Sequence, residues 1–481
     1  MLSRVGSASA RATFVNCFVS ISIDRCTSIY TMEGSPRFHP QVGILLLAMR
    51  VGLTIASAVA GVALAGCGTK ESAPEGRIRL RVWSMWSGDE EKVFEGVVAH
   101  YNRIQNRVWL ENLGAVEDTK TLRAIVAGAP PDLFTLREPG YLAPLAANNA
   151  LLPLDEWFHE SGLREEDFVP ASLNQGRYKG RLYSMPYLLD AGALFWNPDL
   201  FRQAGLDPKR PPRTLEEMLD YARRLTRFDP SGEIRVLGMR PPELMELIIA
   251  FGGQFVDPRT GAITADHPTN IEAARYYRAL IDAMGGGRRV QAFTAGFGNE
   301  QGTNNPFFLG KIAMMFNGQW NPYWFQKYAP HVPYDVAPIP HPASKPHLAR
   351  PTWIGQNMFC IPRESRHPRE AWEFLVWAQS EEAQVLFADT MHGIPNIRKV
   401  LKNPRLRQPQ NPNEVWKRGY AKFLDLVDSP NARFFPVTPV STLYLHELTT
   451  AQDFIMSGSK TPEQALRDVQ QRVFAEWKRW Q

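Results

Sequence analysis

The densest grouping of recognition chemistry in the chain is Gly310-Lys311-Ile312-Ala313-Met314-Met315-Phe316-Asn317-Gly318-Gln319-Trp320. Ile312 to Phe316 is an apolar run of strand length, and the Asn-Gly pair after it predicts a tight turn. The Asn317 amide offers both donors and acceptors, and Trp320 adds a flat apolar face with one polar edge. Delivered at the carboxyl end of a strand in an open α/β sheet, these groups would hold a small polar solute without reacting with it. A core strand followed by a packed indole satisfies the same residues.

Groups that would do covalent chemistry are not arranged for it. The chain has no nucleophile elbow, Walker loop, His-Glu-x-x-His pair or calcium loop. Gly285-Gly286-Gly287 lacks the Lys-Ser/Thr of a phosphate loop, and His341 with His347 in a Pro-rich stretch is a weak metal signal. Carboxylates are plentiful, yet no pattern pairs two of them across a scissile bond as a glycosidase needs. Binding without turnover, no cofactor and no metal are the expectation, with a carbohydrate-active hydrolase as the rival.

The elements that must position such a site require a large protein. The chain has 481 residues, 44% hydrophobic and 21% charged, which suggests at least two soluble domains. Its formal charge is +5. Five arginines before Cys67 face only Asp24 and Glu33, so about +2 remains beyond them, too little to suggest a nucleic-acid partner. Aromatic residues reach 11%, with 13 Trp, a supply suited equally to core packing and to stacking on sugar rings.

Val51 to Gly66 is apolar and small, follows Met49-Arg50 and ends Leu64-Ala65-Gly66-Cys67. That is the layout of a secretory signal, and sixteen residues fall short of the roughly 20 that a spanning helix needs. The last four residues resemble the lipobox of bacterial lipoproteins. This implies cleavage before Cys67, lipidation of its thiol and tethering to a membrane surface. Translation is expected to start at Met49, and Gly68 to Gly76 is small and polar, as a tether requires. Cys360 is then the one other cysteine of the mature chain, so no disulfide can form within it, and Met358-Phe359-Cys360-Ile361 reads as buried strand.

Beyond the tether, Arg77 to Trp83 alternates basic and apolar residues, Glu90 to Ile104 carries a helical stripe, and Val108–Glu111 and Pro131–Leu136 read as further strands. Thr214 with Glu217 and Thr461-Pro462 with Gln464 read as helix starts. Strands alternating with helices predict an α/β sheet.

Several stretches together resemble the family 1 extracellular solute-binding proteins, the maltose-binding-protein-like receptors of bacterial ABC sugar importers. Gly310 to Trp320 resembles the family's "GKAAM…NGxW", Leu151 to Asp155 its "GxLxPLD", Gly180 to Pro186 its "GKxYxxP", and Ala371 to Ala378 its "AWEFLKFL". Gly192 to Leu206 resembles "xxLxYNKDLFxxAGL", with Trp196 where Tyr is usual. Pro351 to Asn357 resembles a crossing strand in which Gln356 stands in place of a second glycine.

The resemblance implies a two-lobed periplasmic-binding-protein fold with mixed sheets flanked by helices and a hinge between lobes. Residues 77–190 would form mainly the N-terminal lobe and 191–350 mainly the C-terminal lobe, with 351–481 shared, after a signal over 1–66 and a tether over 67–76. By the same resemblance Trp86, Ser84, Glu138, Tyr187, Asp190, Trp353, Gln356 and Asn396 join Asn317 and Trp320 as ligand contacts. The implied partners are a mono- or oligosaccharide, the permease subunits of an ABC transporter and the membrane. A monomer outside the cytoplasm is expected, and a lipoprotein for a non-sugar solute is a further alternative.

Overall fold

The computed structural model describes residues 73–136, 138–297 and 302–481. The signal, the Met49 start, Cys67 and part of the loop expected over 296–305 lie outside the described residues. Ala73–Gln481 is one compact unit.

Eight strands build its main sheet: β1 (Ile78–Trp83), β2 (Val108–Leu113), β3 (Leu133–Leu136), β4 (Ser184–Trp196), β5 (Met314–Gly318), β6 (Asp335–Ala337), β7 (Thr352–Cys360) and β8 (Ala432–Arg433). Their order is β6-β4-β7-β3-β1-β2, with β5 also on β4 and β8 also on β7. β1 pairs parallel with β2 and β3, whereas β7 runs antiparallel between β3 and β4. The expected β1 alternation appears as Leu80 and Val82 buried at 0% exposure while the arginines point outward.

β4 organises the rest. Its first part, Ser184 to Ala191, pairs with β7; from Gly192 onward it pairs with β5, and Leu194 to Trp196 pair with β6 as well. One long, almost wholly buried strand therefore passes from one set of partners to another at Ala191-Gly192.

The helices that matter for the site are α1 (Asp89–Ile104), α2 (Leu215–Leu225), α3 (Leu244–Ala250), α4 (Asn321–Tyr328), α5 (Glu381–Met391), α6 (Lys417–Leu426) and α7 (Pro462–Trp477). Apolar spacing gives α1 its buried face of Phe94, Val97, Val98 and Tyr101. The Thr461 hydroxyl and Gln464 side chain cap α7 reciprocally. At α2 the Thr214 hydroxyl accepts from the Glu217 N–H (3.2 Å), while the Glu217 carboxylate takes the Arg213 N–H (2.8 Å).

One expectation needs correction. Asn317-Gly318 makes no turn: both residues continue β5, opposite Ala193 and Gly192, and the chain bends at Gln319-Trp320 before α4. The glycine serves packing instead, since a Cβ on Gly318 would lie 2.3 Å from the Trp320 ring. The helix before the glycine run at 285–287 ends at Ala283; Gly285 and Gly286 take positive φ, and a new helix begins at Gly287.

Candidate functional site

Gly192 of β4 and Gly318 of β5 are direct cross-strand partners, and an indole covers each. A Cβ on Gly192 would lie 2.0 Å from Trp353 Nε1, just as one on Gly318 would strike Trp320. The two rings stand 6.3 Å apart between centroids, tilted by 46°. Paired glycines thus form a recess in the sheet that lets two large aromatics lie against its backbone.

Beside this recess is a cavity of about 210 Å³, walled by Trp86, Tyr187, Trp320 and Trp324 and reached by Glu90 and Asp190. β1 positions Trp86 through the loop that follows it, and Trp86 packs on Phe94 of α1 at 4.4 Å and edge-on to Tyr187 at 5.5 Å. Trp324 lies one helical turn beyond Trp320, which puts both on the same side of the start of α4.

Asp190 is the polar centre. Gln319 Nε2 donates to one carboxylate oxygen at 2.7 Å, and Asn357 Nδ2 donates to the other at 3.2 Å. The Gln319 oxygen in turn accepts the Ala191 N–H at 3.0 Å, which locks the amide's orientation. Burial raises the Asp190 carboxyl above its ordinary range, and the two amides pull it back toward the ionised form. A carboxylate with one bond on each oxygen still has lone pairs for hydroxyl hydrogens. Tyr187 is fully buried, and burial, reinforced by Asp190 and Glu90, holds its phenol well above its ordinary value. It acts as a neutral hydroxyl.

Two further pockets share lining residues with this cavity. A pocket of about 70 Å³ shares Trp86, Glu90, Trp320 and Trp324 and adds Asp89, Lys327, Tyr323 and His392. Here Lys327 of α4 pairs with Asp89 of α1 at 3.2 Å, and His392 stacks on Tyr323 at 3.8 Å. Burial, with Lys417 and Lys327 adding to it, pulls the His392 imidazole down to about 3, so it is neutral at ordinary pH. The second pocket, an extension past Met85 of about 360 Å³, shares that residue with the cavity and contains Ser87, Asp118, Glu138 and Tyr141. There the Asp118 carboxylate accepts the Glu138 N–H at 2.8 Å.

Of the residues expected in a site, the fold brings Trp86, Tyr187, Asp190 and Trp320 around the one cavity. Glu138 lines the Met85 extension. Ser84 is fully buried in main-chain bonds to Leu113 and Val116. Asn317 lies on the strand with its side chain folded onto the next N–H, and Trp353 backs Trp320. Gln356 is 5% exposed on the face of β7 opposite to Trp353, Gly355 and Asn357.

Asn396 also sits away from the cavity, fully buried, donating to Gln379 Oε1 at 2.7 Å. Gln379 and Gln384 bond the carbonyls of Pro186 and Tyr187, so Asn396 helps to hold the strand that carries Tyr187. Sequence reasoning missed Gln319, Asn357 and Trp324. Two-residue periodicity from Trp353 points to Asn357, and i+4 spacing from Trp320 points to Trp324.

Among the described residues no group of three or more His, Cys, Asp and Glu side chains could hold a metal ion, and no helix is long and apolar enough to cross a membrane. The arrangement can desolvate a polar ligand between aromatic faces and accept its hydroxyl hydrogens. Glu90 and Asp190 are the two carboxylates among its lining residues.

Comparison with known proteins gives one consistent result. The model of the family described as bacterial extracellular solute-binding protein matches residues 90–385. The arabinooligosaccharide-binding protein of Bacillus subtilis is 23% identical over 439 residues, covering 84% of this chain and 94% of that protein. The maltotriose-binding protein of Pyrococcus abyssi is 23% identical over 338 residues, covering 68% and 69%. Among solved structures, CpMnBP1 with mannotriose bound has a TM-score of 0.71 at 27% identity and covers 82% of this chain and 100% of its own. A solute-binding protein of Thermotoga lettingae bound with α-D-tagatose has a TM-score of 0.66 at 20% identity, over 83% and 99%, a likeness of fold.

Proposed function

Because the chain belongs to the bacterial extracellular solute-binding protein family, whose two-lobed periplasmic-binding-protein fold it has, we propose that it captures a sugar in the Asp190 cavity and delivers it to an ABC permease. The observation that carries this reading is the Asp190 carboxylate, clamped by Gln319 and Asn357 amides beneath aromatic walls. Sugars present C–H faces to indoles and hydroxyls to buried acceptors, and the cavity offers both. The relatives and the solved structures with sugars in their names support the same class of cargo.

The two pockets that share lining residues with this cavity favour an oligosaccharide over a single ring. Trp86, Tyr187, Asp190 and Trp320 are the contacts this reading assigns, with Gln319, Asn357 and Trp324 added to them and Glu138 reserved for the far end of a longer ligand.

Capture would proceed by closure of the lobes. The lobes are read as residues 77–190 and 191–350, with 351–481 shared, and the partner change of β4 at Ala191-Gly192 supports a crossing there. Asp89 follows β1 and Lys327 follows β5, so their ion pair would join the lobes across the cavity mouth. A ligand that contacts both lobes favours the closed population, and the closed form docks on the permease. Transport energy comes from the importer's ATPase, and the protein is expected to be a monomer outside the cytoplasm, tethered through lipidated Cys67, that turns nothing over.

The test is calorimetry of the purified full chain against a panel of mono- and oligosaccharides, polyols and other solutes, alongside Trp320→Ala. A saccharide bound by wild type and lost in the variant is the expected result. Binding of a non-sugar solute alone, or release of product from a saccharide, would overturn it.

A further inference from the structure

A larger cavity, about 930 Å³, shares no lining residue with the aromatic site and lies among β6 with Pro338, Arg350, the turn Arg398–Lys402, Arg407 and α6. Its walls carry six cations, Arg350, Arg398, Lys399, Lys402, Arg407 and Lys422, against the two carboxylates of Asp425 and Asp428. Such an imbalance in a recess floored by buried Val336, Leu401, Leu424 and Leu426 strengthens the field felt by an incoming anion.

Tracing each charge shows which cations stay available. Arg407 pairs with Asp425 at 2.8 Å, and Arg398 approaches Asp428 only to 3.8 Å. Lys399 reaches Glu381 at 3.3 Å and Lys422 reaches Asp335, both acids outside the cavity wall. Arg350 bonds the main-chain carbonyl of Asp425, which leaves its charge unneutralised. No hydrogen bond or ion pair engages the Lys402 side chain among the described residues. Even with all four acids counted, two positive charges remain.

Backbone geometry adds a second, independent observation. Arg350 has φ of 60°, a left-handed conformation that non-glycine residues hold only when their surroundings impose it. Ser429 Oγ donates to the Arg350 carbonyl at 2.7 Å, Asn431 Nδ2 donates to the carbonyls of His347 and Ala349 at 2.9 Å each, and β8 pairs with β7 at Thr352 and Trp353. The 425–433 segment thereby pins a strained arginine at the wall of the cavity.

We propose that this cavity is a binding site for phosphoryl groups, separate from the solute site. Guanidinium forks match phosphate oxygens in pairs, and the lysines beside them add charge without fixed geometry, so a dianionic phosphoryl group satisfies the excess that a single carboxylate leaves. The group can belong to a soluble phosphate compound or to the head group of an anionic phospholipid.

The full chain is titrated with inorganic pyrophosphate in dilute buffer and again in about 0.5 M NaCl, where screening should weaken binding. In parallel it is sedimented with phosphatidylcholine vesicles with and without phosphatidylglycerol. Lys402→Glu, at an exposed side chain with no partner, should leave melting temperature and saccharide binding unchanged and lower pyrophosphate affinity by about tenfold or more. Arg350→Lys tests the fork, and Lys402→Glu carries the test if that variant misfolds. Pyrophosphate binding lost in Lys402→Glu supports the site with a soluble ligand; retention on phosphatidylglycerol vesicles alone, lost in the same variant, supports it with a lipid source. The proposal fails if neither probe binds, if binding survives Lys402→Glu undiminished, or if a poly-glutamate peptide binds more tightly than pyrophosphate.

Discussion

Glu246→Gln offers a quantitative test of how the site's scaffold is held. Glu246 lies in α3, which packs on β7, and is 8% exposed, with its carboxylate accepting the Glu243 N–H at 2.9 Å. Burial, reinforced by nearby Glu243, raises its carboxyl from 4.5 to about 7, against the pull of the Glu243 N–H and Arg240. A raised carboxyl favours the folded state at low pH: the contribution is complete below the unfolded value near 4.5 and is lost as pH rises through about 7. A shift of that size corresponds to roughly 3 kcal/mol, of which about 2.5 kcal/mol is lost between pH 5 and pH 8. Glutamine keeps an oxygen for the Glu243 N–H and cannot ionise. Urea denaturation of wild type and Glu246→Gln, followed by tryptophan fluorescence across that range, isolates the effect from every other titrating group. The variant's stability relative to wild type should rise with pH by about 2.5 kcal/mol. Parallel curves for the two proteins would refute the reasoning.

Other perturbations probe the site directly. Asp190→Asn puts an amide N–H₂ where two amides already donate, so saccharide affinity should fall by about ten- to hundredfold in calorimetry, from lost charged bonds and a donor clash. The same residue makes wild-type affinity fall as acid protonates it, at a pH above the ordinary carboxylate range, and the variant should lack that titration. Gly192→Ala forces a methyl into the Trp353 indole and should cost about 1–3 kcal/mol in urea denaturation, with weaker saccharide binding because Trp320 leans on the same pair. Cys360 is fully buried, and desolvation pushes its thiol far above the ordinary range, so a thiol reagent should label it only after denaturation.

Much of the scaffold was legible because it follows from local physics. Alternation of arginines with Leu80 and Val82, the apolar stripe of α1 and the caps at Thr214 and Thr461 each depend on residues a few positions apart. Trp86, Tyr187, Asp190 and Trp320 were likewise nameable one by one, from residue type and resemblance to a family. What those side chains do together was not. Asp190 meets amides 129 and 167 positions further along the chain, and Gly192 and Gly318 become neighbours only when β4 pairs with β5.

The face of a strand decided the rest. Gln356 and Asn357 are adjacent amides, yet a pleated strand sends successive side chains to opposite sides, and register alone places Asn357 on Asp190 and Gln356 in the core. Asn396 is held inward by distant partners too: its side-chain amide donates to Gln379 and its backbone N–H to Gln384. The sequence by itself determined which elements form and which residue types are available for binding, since both arise from short-range periodicity and side-chain chemistry. Tertiary structure alone decided which of them converge, because convergence depends on strand register and on contacts between segments far apart in the chain.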